Sequence, residues 1–201
     1  MLADDTYLTI LSPSEGIYKD KGSKFMAYAF PVSSEDEIKK QLSDLRKEHH
    51  SARHHCYAYR LGADKLIYRT NDDGEPSGTA GKPIFGQIQS KELTDILMVV
   101  VRYFGGTLLG VSGLITAYKQ AAADAIANAT IVEKIVKQQF EIKFDYLQMN
   151  DVMKIIKDEV LEIQSQNFEL DCSLVFAVRK NKSLKVQELF NKMSNVGIEK
   201  Y

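Results

Sequence analysis

The sequence predicts an α+β protein of two domains, residues 1–129 and 130–201, and three observations predict it. Asp95 to Phe104 is a continuous apolar, β-branched run, the pattern of a strand buried on both faces. Segments with helical periodicity lie on either side of it, at Ile38-Leu42-Leu45 and from Leu114 to Ile126. Beyond residue 130 the segments follow the order β-α-β-β-α-β.

Taken in order, Gly22 to Val32 carries strand-type residues around Phe25, Tyr28 and Phe30, and Pro31 ends it ahead of Ser34-x-x-Glu37, a capping box. A helix then runs to about Glu48, with Lys39, Lys40, Asp44 and Lys47 left for solvent. His55 to Leu61 and Lys65 to Thr70 form a strand pair, since Tyr57, Tyr59 and Leu61 alternate and Gly62-Ala63-Asp64 is turn chemistry. From Asn71 to Gly86, Pro76, Pro83 and repeated glycines predict a long loop, and loops of that length are usually functional. The central strand of the first domain follows, and then a long alanine-rich helix from Val111 to Ala129 that can approach a sheet closely.

In the second domain the strands are Gln139 to Tyr146, Leu161 to Gln166, Glu169 to Arg179 and Gly197 to Tyr201. Its helices are Asn150 to Glu159 and Ser183 to Met193. Phe140, Ile142 and Phe144 alternate, as do Leu170, Cys172, Leu174 and Phe176, so each strand offers one face to two helices. This is the ferredoxin-like order.

Composition narrows the function classes. Among 201 residues, 44% are hydrophobic and 26% charged, ordinary for a globular protein and far from disorder. Net charge is −1, with 15 basic against 16 acidic residues up to Ala129 and 11 against 11 beyond, so a nucleic acid would have to be held by a local patch. Cys56 and Cys172, one in each domain, make neither a disulfide framework nor a zinc set, and a reducing cytoplasmic location is expected. The N-terminus lacks a leader pattern, and the apolar run Ile96 to Val101 is too short to span a bilayer, so no membrane partner is expected.

Chemistry concentrates in two segments, Asp72-Asp73-Gly74-Glu75-Pro76-Ser77-Gly78-Thr79-Ala80-Gly81 and Arg102-Tyr103-Phe104-Gly105-Gly106 running into Gly110 and Gly113. Glycines at that density let main-chain amides approach a ligand, and those ahead of a helix leave free N–H donors, so the segments predict anion or phosphate binding. The lysine and spacing of a P-loop are missing, so nucleotide hydrolysis is not indicated. Asp72, Asp73 and Glu75 could hold Mg2+ or cap a turn, and the turn is the favoured reading. His49, His50, His54 and His55 could supply metal ligands or form a polar, stacking cluster at a strand edge, the favoured reading. Cys56 reads as a buried, inert thiol rather than a nucleophile, because a neighbouring strand residue such as His55 points to the opposite face. Arg46, Lys47, Arg53, Arg60 and Arg69, interleaved with Tyr57, Tyr59 and Tyr68, suit RNA, where phosphates meet the charges and unstacked bases the rings; the plainer reading is a solvated sheet face.

Three motifs, His54-His55-Cys56-Tyr57-Ala58-Tyr59-Arg60, Asp72 through Pro83 and Val99-Val100-Val101-Arg102-Tyr103-Phe104-Gly105-Gly106, together resemble the IMPACT family in its bacterial YigZ-like branch. Ser23-Lys24-Phe25 is similar to the family's opening strand. The resemblance implies a first domain like domain 2 of a ribosomal small-subunit protein and domain IV of elongation factor G. It implies a second domain like that factor's ferredoxin-type domains. Eukaryotic relatives are regarded as regulators of translation under stress, acting through an initiation-factor kinase pathway by an extra N-terminal domain; no such domain is expected here, and the kinase role is not carried over. The family usually carries Gly-Gly-Ile-Lys-Leu-Gly where this chain has Gly105-Gly106-Thr107-Leu108-Leu109-Gly110. With that lysine replaced by Leu108, a phosphate would rely on Arg102 and the helix N-terminus.

The residues assigned to anion or nucleic-acid binding are therefore Lys24, His54, His55, Tyr57, Arg60, Ser77, Gly78, Thr79, Gly81, Arg102, Gly105 and Gly106. No catalytic residue is assigned and no cofactor is expected. The reading is a noncatalytic translation-associated regulator that binds RNA or a ribosomal surface through its first domain. Two others compete with it: a phosphate- or nucleotide-binding enzyme, and an adaptor that docks a protein partner through the second domain.

Overall fold

The computed structural model describes residues 5–169 and 172–201. Five α-helices and three sheets are found among the described residues, in two compact units. One is Tyr7–Lys134; the other is Ile135–Tyr201 with Asp5 and Thr6. The division falls after Lys134 rather than after Ala129 because β7 (Ile131–Ile135) pairs with β1 (Thr6–Ile10), two strands that periodicity did not disclose.

In the first unit β2 (Ser14–Asp20), β3 (Ser23–Pro31), β4 (His54–Leu61), β5 (Ile67–Asn71) and β6 (Ile96–Tyr103) form an antiparallel sheet in the order β2-β3-β6-β4-β5. β6 is central because both its faces are apolar. Ile96, Met98 and Val100 face one core and Leu97, Val99 and Val101 the other. Each such burial contributes about 1.5–3 kcal/mol. On the odd-numbered face lies α1 (Glu35–Glu48), which buries Ile38 and Leu45. The Ser34 hydroxyl accepts from the Glu37 N–H at 3.3 Å, and the Glu37 carboxylate accepts from the Ser33 N–H at 2.7 Å, so the box closes one residue upstream of its usual register.

Two helices cover the opposite face. α3 (Gly110–Ala127) packs Leu114, Ala117, Tyr118, Ala121, Ala122, Ala125 and Ile126 onto the sheet. It also covers the β2 edge, where the Asp124 carboxylate accepts from the Ile17 N–H at 2.8 Å. The approach requires Gly16, since a Cβ there would stand 2.2 Å from the Ala125 nitrogen. α2 (Gly81–Ser90) corrects the expectation of a loop reaching Gly86. Pro83 sits in its first turn, where an N–H has no intrahelical partner to lose, and Ile84, Phe85 and Ile88 supply the buried face.

The second unit contains β8 (Lys137–Phe144), α4 (Met149–Asp158), β9 (Glu162–Phe168), β10 (Cys172–Arg179), α5 (Ser183–Asn191) and β11 (Val196–Lys200). Its sheet is antiparallel in the order β11-β8-β10-β9. Phe140, Ile142, Leu174 and Phe176 meet Val152 and Ile156 of α4 and Val186 and Phe190 of α5 in one core. Part of the strand expected over Glu169 to Arg179, with Leu170 in its alternation, lies outside the described residues. Arg179 clasps Asp5 through Nε at 2.5 Å and a terminal nitrogen at 3.0 Å, and this holds the Asp5 carboxyl below the usual carboxylate range. None of the described helices is long and apolar enough to cross a membrane.

Candidate functional site

β4 and β6 run antiparallel with His54 opposite Arg102, so the start of one and the end of the other share a border of the sheet. Alternation places His54, Cys56 and Arg102 on the α2–α3 face. There Arg102 donates to Glu75 Oε1 at 2.6 Å, Tyr118 Oη donates to the same oxygen at 2.7 Å, and Cys56 Sγ lies 3.3 Å from Tyr118 Oη. The guanidinium also sits over Phe25 and Phe104, 5.4 and 5.7 Å from the ring centres. In front of it opens a cleft of about 640 Å³, lined by Ser51, Arg53, His54, Arg102, Tyr103, Phe104 and Leu108.

The 72–81 loop departs from its expected use. Asp72 Oδ1 accepts from the Ala80 and Gly81 amides at 3.0 and 2.8 Å, and Oδ2 accepts from Gly78 at 2.8 Å. The amide nest assigned to an external anion through Gly78 and Gly81 is therefore filled by the protein's own carboxylate, which also caps α2. Thr79 Oγ1 donates to Pro76 O at 2.6 Å, so its hydroxyl is used inside the loop, while Ser77 is exposed. Burial pushes the Asp72 carboxyl up, but the Gly78, Gly81 and Ala80 amides, with Lys82 nearby, outweigh it and hold it below the usual range.

The other carboxylates point elsewhere. Asp73 accepts from the His55 amide at 2.7 Å and from Arg46 at 2.9 Å, whereas Glu75 turns inward to Arg102. Among the described residues no three His, Cys, Asp or Glu side chains converge as metal ligands would. The histidines likewise separate. His49 is held between Tyr28 Oη at 2.8 Å and Tyr103 Oη at 2.9 Å, His50 is exposed, and His54 donates through Nδ1 to Asp73 O at 2.9 Å.

Of the other assigned residues, Arg60 is buried and donates through Nε to Leu93 O at 2.6 Å, a second guanidinium nitrogen reaching the same oxygen. These bonds turn the Arg60 side chain to the backbone of Leu93 at the end of β4, an interior strand of the sheet, rather than toward the cleft. Tyr57 and His55 are buried on the α1 face, away from His54 and Arg102. Burial lowers the His55 pKa, with the Arg46 charge adding to it, and its Nε2 finds no hydrogen-bond partner. Lys24 is half-buried beside Tyr103 and does not line the cleft. Gly105 donates its amide to Ser23 Oγ at 3.1 Å, and a Cβ on it would stand 1.8 Å from the Gly22 carbonyl carbon, so it locks two turns together. Gly106 has a φ of +88° with open space around it. Leu109, the N-cap of α3, offers no capping side chain, and the first turn of the helix carries no acidic residue.

His54 and Arg102 are thus brought together, and they are joined by Ser51, Arg53, Tyr103, Phe104 and Leu108, which the assigned set lacked. Antiparallel pairing of the two motif strands is the signal that finds them, since it sets the residues before β4 beside those after β6. Cys56 is buried and its thiol is pushed up, first by burial, which disfavours the thiolate at neutral pH.

These features define a two-unit α and β protein whose first unit is an Impact N-terminal domain, the family model that matches residues 21–126. An IMPACT family member of Haemophilus influenzae is 35% identical over 160 residues, 79% of this chain and 78% of that protein. The IMPACT family member YigZ of Escherichia coli is 32% identical over 154 residues, 76% of each. A crystal structure of a hypothetical protein superposes with a TM-score of 0.76 at 28% identity, covering 96% of both chains. The chain belongs to the IMPACT family, in its YigZ-like branch.

Proposed function

We propose that this protein is a noncatalytic, translation-associated regulator of the cytoplasm whose first unit binds RNA or a ribosomal surface through the Arg53–His54–Arg102–Phe104 cleft. The observation that carries the reading is the cleft itself, in which basic side chains stand beside an exposed aromatic ring. Phosphates need the first and unstacked bases the second. Family membership supports it, through the likeness to elongation-factor and ribosomal-protein domains that the motifs imply. On this reading the first unit is of the elongation factor G domain IV type. The second is ferredoxin-like, a description supported by its β-α-β-β-α-β order and its β11-β8-β10-β9 sheet.

The test is titration of purified protein against ribosomes and structured RNA at low and moderate salt, with Arg53→Ala alongside. Binding should weaken steeply with salt, and the substitution should reduce the salt slope by about one counterion. Salt-independent binding, or an unchanged slope in the variant, would remove the cleft from the account.

A further inference from the structure

We infer that the cleft receives one unstacked nucleotide of single-stranded RNA, with its base on the open face of Phe104 and its phosphate beside Arg53. The inference rests on the RNA reading above and narrows it to a strand state. Phe104 follows a buried strand, yet it is 58% exposed. Its described ring neighbour is the Arg102 guanidinium, which Glu75 anchors from behind. A fixed cation against an exposed ring makes a platform for a base, because every base has a π-face and stacking requires no particular sequence.

Charge and size agree with this. Glu75 neutralises Arg102, and among the described residues no carboxylate pairs with exposed Arg53 at the mouth of the cleft. A carbonyl can only accept, so His54 donates from Nδ1 to Asp73 O, and in the neutral ring Nε2 is then an acceptor for a base N–H or a ribose hydroxyl. The volume of about 640 Å³ lies within the roughly 300–1,000 Å³ of small-ligand sites and suits a single nucleotide. A duplex keeps its base faces stacked on one another and offers none to Phe104.

Fluorescence anisotropy with a short labelled single-stranded oligoribonucleotide, and with the same strand annealed to its complement, tests the inference. The unsubstituted protein should prefer the single strand. Phe104→Ala should weaken that binding about tenfold, and Phe104→Trp should retain it. Arg53→Ala should weaken it and flatten its salt dependence. Both side chains are exposed, so thermal unfolding of the variants should match the parent and separate lost binding from lost fold. Equal affinity in Phe104→Ala, or a preference for the duplex, would overturn the inference and leave the RNA reading standing. Absence of any RNA or ribosome binding by the unsubstituted protein would overturn both.

Discussion

Arg102 and Glu75 lie 2.6 Å apart with their side chains only 7% and 4% exposed, and this pair ties the end of β6 to the 72–81 loop. The same carboxylate oxygen accepts from Tyr118 of α3, so one buried acid joins a strand, a loop and a helix behind the cleft. The pair thus serves as the rear wall of the site, holding the guanidinium against Phe104.

Breaking this pair from one side leaves a charge buried without its partner. Glu75→Ala is expected to destabilise the protein by about 3–5 kcal/mol in denaturant unfolding, whereas the double change Glu75→Leu with Arg102→Met should lie closer to the parent. A loss below about 1 kcal/mol for the single variant would mean that water reaches Arg102 after all.

Asp72 gives a second stability prediction, with a defined pH window. Its carboxyl is depressed in the folded state, so its stabilisation is present above the unfolded value of about 3.9 and is lost as pH falls through the lower folded value. Asp72→Ala should cost about 2–3 kcal/mol at neutral pH and should lack that acid-dependent segment. Parallel stability curves for parent and variant below pH 4 would contradict the assignment.

His55 acts over a higher window. Burial keeps it neutral, so the unfolded chain binds the proton first and stability declines as pH drops from about 6.5 toward the lowered folded value. Nuclear magnetic resonance titration of the ring should place its midpoint below the ordinary histidine value of about 6.5. A higher midpoint would show that Asp73, 3.9 Å from Nδ1, outweighs burial and the Arg46 charge.

Cys56 should resist thiol-specific alkylation in the native protein and react at the rate of unfolding, because burial raises its thiol and closes access. Rapid modification at neutral pH, with no loss of structure, would show that the Cys56–Tyr118 region opens locally.

The fold was legible where a segment decides its own burial. β6 is apolar on both faces, α1 carries its cap and its stripe, and both lie within a residue or two of their expected bounds. β1, β2 and β7 were hidden because their pattern is completed by distant partners, as α3 completes β2 through Asp124. α2 was masked by Pro83, whose breaking effect is absent in a first turn. In the site, residue type alone picked out Arg102 and His54. It could not show that Arg60 turns to the carbonyl of Leu93, or that Asp72 folds back on the amides of its own loop, since those partners are chosen by tertiary geometry.

The most direct measurement is ultraviolet crosslinking of the unsubstituted protein to bound single-stranded RNA, followed by mapping of the modified peptides. Attachment is predicted at Phe104 or Tyr103, with further adducts at His54. Adducts confined to the β8–β11 sheet of the second unit, or to the 72–81 loop, would contradict the claim that the cleft is the recognition surface.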